Sequence, residues 1–322
     1  MKQIIFIAGT AYSGSSMLDM MLGNTDSSFS IGEAQYFFKP TKAYHISPKC
    51  GCGESSCDLW KNLKKFGEYE FYNKIFENFN YINTIIDSSK DPFWIHSHQK
   101  YLSNQGFLTK IIIIWKSPEE FRYSRFKRDS PYGWDRAWIN YHKLFFSLNM
   151  DWRSVQYCEL AKSPAETLKK LCQYLSIPYS ESIIEFWNKK HHMLFGNLSA
   201  KFHTFDKNAM NYKKTVENLS SIERKHASNS DEIENKHRKI FYDTPFNDKI
   251  DDSIPPSKKY IFDTIIKFLN FRSIYNAEIL PNSYTKTPTL SKPIIWLYHA
   301  KRLLLCLIFS FCYLITKIRK SK

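Results

Sequence analysis

The stretch QIIFIAGTAYSGSSMLDMML, residues 3 to 22, decides the fold of this chain. Residues 3 to 8 form an apolar run rich in β-branched side chains, which predicts a buried strand. Residues 15 to 22 carry apolar side chains at helical spacing and predict a helix. Residues 9 to 16, here named the glycine loop, connect the two. A strand, a glycine loop and a helix in this order are typical of the first βα unit of a parallel sheet.

The same alternation continues along the chain. Apolar runs predict strands at residues 84–88, 110–115 and 155–157, and periodic apolar spacing predicts helices at residues 92–102, 118–127, 134–148, 164–175 and 260–271. Alternating strands and helices predict an α/β fold, a doubly wound parallel sheet flanked by helices. We expect one domain at 1–280 with a mobile polar insertion at 207–259, a proline-containing linker at 281–293 and a tail at 294–322.

The charge of the chain is concentrated in its tail. The net charge is +15, and after Glu278 there are eight Lys or Arg residues and no acidic residue. Residues 303–315 form an apolar run, shorter than the roughly 20 residues that a full span needs. The tail could cross a thin membrane, lie in the interface or pack on the domain, and we favour association with an anionic membrane over nucleic acid. Without a signal peptide, the expected location is cytoplasmic.

The glycine loop has the spacing of a phosphate loop, G-x4-G-x-[ST], with Ser15 in the place of the usual lysine. Backbone N–H groups of such a loop and the following helix N-terminus attract an anion. A nucleotide kinase would lack the lysine that reaches the β- and γ-phosphates. The alternatives are therefore a shorter anionic ligand, a kinase with an altered loop, or a tight turn without a ligand.

A second basic element, WKSPEEFRYS, occupies residues 115–124. Lys116 leaves the predicted strand, and Ser124 follows two helical turns later, so both could grip a second phosphate. The alternative is an amphipathic helix with a solvated basic face, which we favour for Arg125, Lys127 and Arg128.

Together these elements resemble the PAPS-dependent sulfotransferase family, which has a GTxRSGST loop and a strand-R-x-P element followed by a helix serine. Further matches in the same order are IGE (31–33), CGCGESSCDLW (50–60), IIDSSK (85–90), YCELAKSP (157–164) and HHMLFGN (191–197), so the resemblance covers about residues 3 to 200. It implies a P-loop NTPase-like sulfotransferase architecture. It also implies 3′-phosphoadenosine 5′-phosphosulfate (PAPS) as donor and a glycan, lipid or peptide hydroxyl or amine as acceptor.

The resemblance also implies residue roles. Glu33 is the expected general base and Lys90 the cation at the transferring group, with Ser88 and Ser89 as hydrogen-bond donors, although DSSKDP could instead cap a helix. The expected donor-binding residues are Thr10, Ala11, Tyr12, Ser13, Gly14, Ser15, Ser16, Lys116, Ser124, Asn197 and Lys201. Tyr12 and Lys116 replace family arginines, and Lys lacks the bidentate fork of Arg. An inactive relative is therefore an alternative.

Three cysteines lie close together in the sequence. Cys50, Cys52 and Cys57 have the spacing C-x-C-x4-C and could hold zinc, with His45 as a possible fourth ligand. A packed turn of reduced thiols is the alternative that we prefer, so no metal is predicted. We expect structural or rim positions for His191 and His192.

Overall fold

A computed structural model describes residues 1–46, 48, 50–54, 57–128, 130–204, 237–240, 242, 256–276 and 289–320. The predicted insertion at 207–259 lies outside the described residues, except for 237–240, 242 and 256–259. The predicted linker at 281–293 also lies outside them, except for 289–293.

Five strands form one parallel sheet, which confirms the predicted fold class. They are β1 (Gln3–Ala8), β2 (Ser28–Gly32), β3 (Thr84–Asp87), β4 (Leu108–Trp115) and β5 (Arg153–Gln156), in the order β2-β3-β1-β4-β5. The sequence did not predict β2, because SFSIG is short and half polar. Its pairing with β3, rather than its own composition, makes it a strand.

The helices surround this sheet. They are α1 (Ser15–Leu22), α2 (Ala34–Phe38), α3 (Leu59–Lys64), α4 (Gly67–Asn78), α5 (Pro92–Asn104), α6 (Pro118–Phe126), α7 (Trp134–Ser147), α8 (Tyr157–Lys162), α9 (Pro164–Leu175), α10 (Leu198–Lys201), α11 (Pro256–Phe271) and α12 (Lys292–Lys320). The six predicted helices are confirmed within a few residues. Helix α12 begins at Lys292, inside the last two residues of the predicted linker.

The two faces of the sheet bury different side chains. Ile4 and Phe6 pack with aromatic residues of α4, α5, α7 and α11, whereas Ile5 and Ile7 pack with aliphatic residues of α1 and α9. All four side chains are fully buried. Burial on both faces explains why β1 is apolar without alternation. Each such side chain contributes about 1.5–3 kcal/mol to the free energy of folding.

The order of the strands creates a crevice between β1 and β4. The chain leaves β1 towards β2 on one side, returns to β3, and then crosses to β4 on the other side. In open parallel sheets, ligands bind at the carboxyl ends of the strands where the order reverses in this way. The glycine loop follows β1 and Lys116 follows β4, so both predicted anion-binding elements border this crevice.

Of the helices that the structure describes, α12 is the longest. Among the residues that the structure describes, no helix combines the length and the apolar character needed to cross a membrane.

Candidate active site

The glycine loop is shaped for close approach of an anion to its backbone. Gly14 has a φ of +98° and immediately precedes α1, and a Cβ on it would lie 2.4 Å from a ring carbon of Tyr157. Only glycine fits both requirements. The hydroxyls of Thr10 and Ser13 are buried and have no hydrogen-bond partner among the described residues. Two such hydroxyls beside a helix N-terminus suit an anionic ligand.

Lys116 and Ser124, the two residues of the predicted second phosphate site, are in contact. Lys116 Nζ donates to Ser124 Oγ at 2.9 Å, and Trp138 Nε1 donates to the Lys116 carbonyl oxygen at 2.9 Å. A capping box holds the intervening helix start, since Ser117 Oγ accepts from the Glu120 N–H and the Glu120 carboxylate accepts from the Ser117 N–H. The cation and the hydroxyl are therefore fixed relative to β4.

Tyr157 joins the two elements. Its ring lies against Gly14, and Lys116 Nζ lies 4.2 Å from the centroid of the same ring. The glycine loop and Lys116, which border the two predicted phosphate sites, therefore both contact the same aromatic side chain.

Arg128 supplies a guanidinium next to the glycine loop. Its Cζ lies 4.2 Å from the centroid of the Tyr12 ring, and its Nη1 donates to the Ser124 carbonyl oxygen at 2.9 Å. Arg128, on the predicted basic face, is thus half-buried and held above Tyr12 by a cation–π contact.

Glu33 and Lys90, which follow β2 and β3, form an ion pair. Their side chains are only 14% and 15% exposed. The Glu33 N–H donates to the Leu194 carbonyl oxygen at 2.9 Å, and Lys90 Nζ also donates to the Ser88 carbonyl oxygen at 3.3 Å. The structure therefore brings together the predicted base and the predicted cation at the ends of β2 and β3.

The comparisons with known proteins identify the fold. No protein-family model matches the sequence, and no curated protein matches it significantly. Among solved structures, the chain is similar to the sulfotransferase domain from the curacin biosynthetic pathway, with a TM-score of 0.51, 17% sequence identity, and coverage of 85% of this chain and 99% of that chain. The chain has a sulfotransferase fold. The sulfotransferase domain of the Synechococcus PCC 7002 olefin synthase aligns with a TM-score of 0.44 and 16% identity, over 84% of this chain and 96% of that chain.

Tyr141 links the glycine loop to the Lys90 segment, a contact that the sequence did not reveal. The Gly9 N–H donates to its hydroxyl oxygen at 2.7 Å, and that hydroxyl donates to the Lys90 carbonyl oxygen at 2.6 Å. Burial raises the pKa of Tyr141 well above its ordinary value, so the hydroxyl remains a donor. Its position three residues after Trp138, on the buried side of the predicted helix 134–148, was the only sequence signal.

Ser88 and Ser89 have structural hydrogen-bond partners. Ser88 Oγ donates to Asp19 Oδ2 at 2.6 Å, and Ser89 Oγ accepts from the Gln35 N–H at 2.9 Å. Asp91 caps α5 by accepting from the Trp94 N–H at 2.8 Å, so the expected cap forms, and the Lys90 side chain is left to pair with Glu33. Burial raises the pKa of Asp19 to about 7, and the Ser88 hydrogen bond opposes that shift. Ser88 and Ser89, which precede Lys90, are therefore hydrogen-bonded to residues of α1 and α2.

Asn197 and Lys201 lie near the glycine loop and α1. The Asn197 N–H donates to Ser16 Oγ at 2.8 Å. Burial lowers the pKa of Lys201, and the nearby charges of Glu33 and Asp19 act in the opposite direction. Binding of either residue to the second phosphate remains a prediction.

The three clustered cysteines meet a histidine, but not the expected one. Cys50, Cys52 and Cys57 lie with His192 such that their ligand atoms are all within 4.8 Å of one another; these four residues are named the thiol–imidazole cluster. The prediction of His45 as fourth ligand is wrong. The His45 ring stacks on Tyr36, and its Nδ1 accepts from the Thr41 N–H.

Proposed function

We propose that this protein is a sulfotransferase that uses PAPS as its donor. The observation that carries the proposal is the shared contact of Gly14 and Lys116 with Tyr157, at the crevice between β1 and β4. A ligand that carries an anion at both ends of an adenosine would engage both elements at once. The sulfotransferase fold supports the same assignment.

The glycine loop is proposed to hold the 5′-phosphosulfate. The N-terminus of α1, the Thr10 and Ser13 hydroxyls and the Arg128 guanidinium provide donors and positive potential there. A phosphosulfate carries less charge than a triphosphate, so Ser15 in place of the phosphate-loop lysine suits it. Lys116 and Ser124 would bind the 3′-phosphate.

The reaction needs a base and a cation. We propose that Glu33 removes the proton from the acceptor hydroxyl while the oxygen of that hydroxyl attacks the sulfur in line. The new O–S bond forms as the bond from sulfur to the 5′-phosphate oxygen breaks, and adenosine 3′,5′-bisphosphate leaves with the electron pair. Lys90 would stabilise negative charge on that bridging oxygen. The Glu33–Lys90 ion pair keeps both groups in place before the substrates bind.

Calorimetry and a transfer assay test the proposal together. We expect adenosine 3′,5′-bisphosphate to bind and ATP to bind much more weakly, and labelled sulfate to pass from PAPS to a component of membrane or glycan extracts. Preferred ATP binding would instead support a nucleotide kinase. Bisphosphate binding without transfer to any extract, together with no hydrolysis of PAPS, would identify a non-catalytic relative.

The tail is proposed to hold the enzyme at the cytoplasmic face of a membrane, near its acceptor. The α12 side chains Trp296, Leu303, Leu307 and Phe311 are all about half exposed or more. Arg302 of the same helix forms an ion pair with Asp91, the neighbour of Lys90. The exposed apolar side chains and the excess of basic residues match an anionic membrane surface, and the ion pair would bring that surface close to the catalytic groups.

Vesicle sedimentation tests the tail. The full chain is expected to bind vesicles that contain anionic lipid more strongly than neutral vesicles. Leu307→Glu should weaken this binding, whereas the control Lys169→Glu, on the exposed part of α9, should not. Equal binding by both variants, or no binding by the full chain, would contradict the membrane proposal without affecting the donor assignment.

A further inference from the structure

We infer that the thiol–imidazole cluster binds one Zn²⁺ ion. The Sγ atoms of Cys50 and Cys57 lie 3.4 and 3.6 Å from His192 Nδ1. A tetrahedral zinc ion with Zn–S of about 2.3 Å and Zn–N of about 2.0 Å sets its ligands roughly 3.5–3.8 Å apart. The cluster therefore already has nearly the spacing of a Cys3His zinc site.

The backbone around the cysteines supports this arrangement. The Gly51 N–H donates to the Met193 carbonyl oxygen at 3.0 Å, and the Gly53 N–H donates to the Cys50 carbonyl oxygen at 3.2 Å. These bonds turn the chain tightly, so that Cys50 and Cys52 face the same point from one short segment. His192 directly precedes Met193. The hydrogen bond between Gly51 and Met193 therefore places the imidazole next to Cys50, from which it is 142 residues away in sequence.

A second contact joins the same two segments. Lys190 and Glu54 form an ion pair at the edge of the cluster. Both side chains are more than half exposed, and solvent screens such surface ion pairs, so this pair cannot by itself hold the segments together. Four half-buried ligand atoms provide the stronger connection when a metal links them.

The proposed zinc has a structural role, because all four coordination positions are filled by protein. Its importance lies in what the segment holds. Leu194, two residues after His192, forms β-bridges with both Cys50 and Gly32. Its carbonyl oxygen accepts the Glu33 N–H at 2.9 Å, and its N–H donates to the Ile31 carbonyl oxygen at 2.7 Å. Zinc at the cluster would therefore fix the backbone that positions Glu33.

Metal analysis of the full chain, purified without a histidine tag, tests the site. We expect one zinc per chain by elemental mass spectrometry. Cys52→Ser and His192→Asn should lose it, whereas Cys158→Ser, a half-buried thiol outside the cluster, should retain it. Cobalt substitution should produce thiolate-to-cobalt charge-transfer absorption in the wild type and in Cys158→Ser. This spectrum keeps the test decisive even where a cluster variant fails to fold.

Removal of the metal tests the structural role separately. Chelation is expected to lower Tm by at least about 5 °C, since a structural zinc contributes folding free energy directly. Amide hydrogen exchange of Glu33 and Leu194 should become faster than that of the core strand β4. These readouts do not depend on sulfate transfer, so they separate this inference from the proposed function.

Two results would overturn the zinc assignment. One is wild-type protein that takes up neither zinc nor cobalt under reducing conditions. The other is a disulfide between two of Cys50, Cys52 and Cys57 in protein purified from reducing cytoplasm, because such a bond removes two of the four ligands.

Discussion

The glycine loop and the thiol–imidazole cluster are both built on tight turns that contain glycine, yet they differ in how they are assembled. The glycine loop takes all its defining residues from eight consecutive positions between β1 and α1. The cluster takes three ligands from residues 50–57 and the fourth from His192. The geometry of a local motif follows from its own consecutive residues. A site that needs a ligand from a distant segment depends on the tertiary fold. Predictions that affect one region and leave the other unchanged test this difference.

The largest expected effect is a loss of catalysis that leaves the thiol–imidazole cluster unchanged. Glu33→Gln should lower kcat by about 10²–10⁴-fold, the usual contribution of a general base, because the amide cannot accept the acceptor's proton. Bisphosphate affinity and zinc content should stay unchanged, since the Leu194 contacts use the Glu33 backbone. Steady-state kinetics and elemental analysis measure the two quantities. Glu166→Gln, at an exposed position, is the control, and an equal loss in that variant would contradict the assignment.

The next effect concerns stability. Asp19 is fully buried and its folded pKa lies near 7, above its unfolded value of 3.8. Protonated Asp19 is therefore favoured in the folded state, and its contribution to stability falls as the pH rises from about 4 to 7. The loss is up to about 4 kcal/mol. Asp19→Asn should remove this pH dependence. The free energy of unfolding of the variant should therefore fall less between about pH 4 and 7 than that of the wild type. Parallel pH profiles for the two proteins would contradict the prediction.

Lys116→Met tests the second anion-binding element. Loss of a charge-assisted contact to phosphate should weaken adenosine 3′,5′-bisphosphate binding by about 10–100-fold. Calorimetry measures the change, with Lys169→Met on the exposed face of α9 as the matched control. Zinc content should not change. If 5′-AMP, which lacks the 3′-phosphate, loses affinity to the same extent, Lys116 does not bind that phosphate.

The smallest effect is expected at Arg128. Arg128→Ala removes the cation above Tyr12 and should weaken PAPS binding by about 3–10-fold, in line with the strength of a partly exposed cation–π contact and its charge. Arg128→Lys should recover much of the affinity because it keeps the charge. The exposed Arg136, changed to Ala, serves as the control. Unchanged PAPS affinity in Arg128→Ala would show that Arg128 does not supply positive charge to the donor, and would contradict the prediction.

Much of the sheet was predictable from the sequence, whereas several site contacts were not. β1 and β4 are continuous apolar runs because both sheet faces are covered, and such runs are distinctive. β2 is short and partly polar, and only pairing with β3 makes it a strand. Tyr141 was missed because its function lies in bridging Gly9 and Lys90, which are 81 positions apart in sequence and meet only in the folded chain.

The sequence by itself determined the elements whose physics is local: the apolar strands β1 and β4, the glycine loop with its helix N-terminus, and the helix that follows Lys116. Tertiary structure decided the rest. It placed Arg128 over Tyr12, paired Glu33 with Lys90, and chose His192 rather than His45 for the cysteines. The physical reason is that side-chain spacing within a turn or helix follows from backbone geometry, whereas contacts between distant segments follow from how the sheet orders its strands and packs its helices.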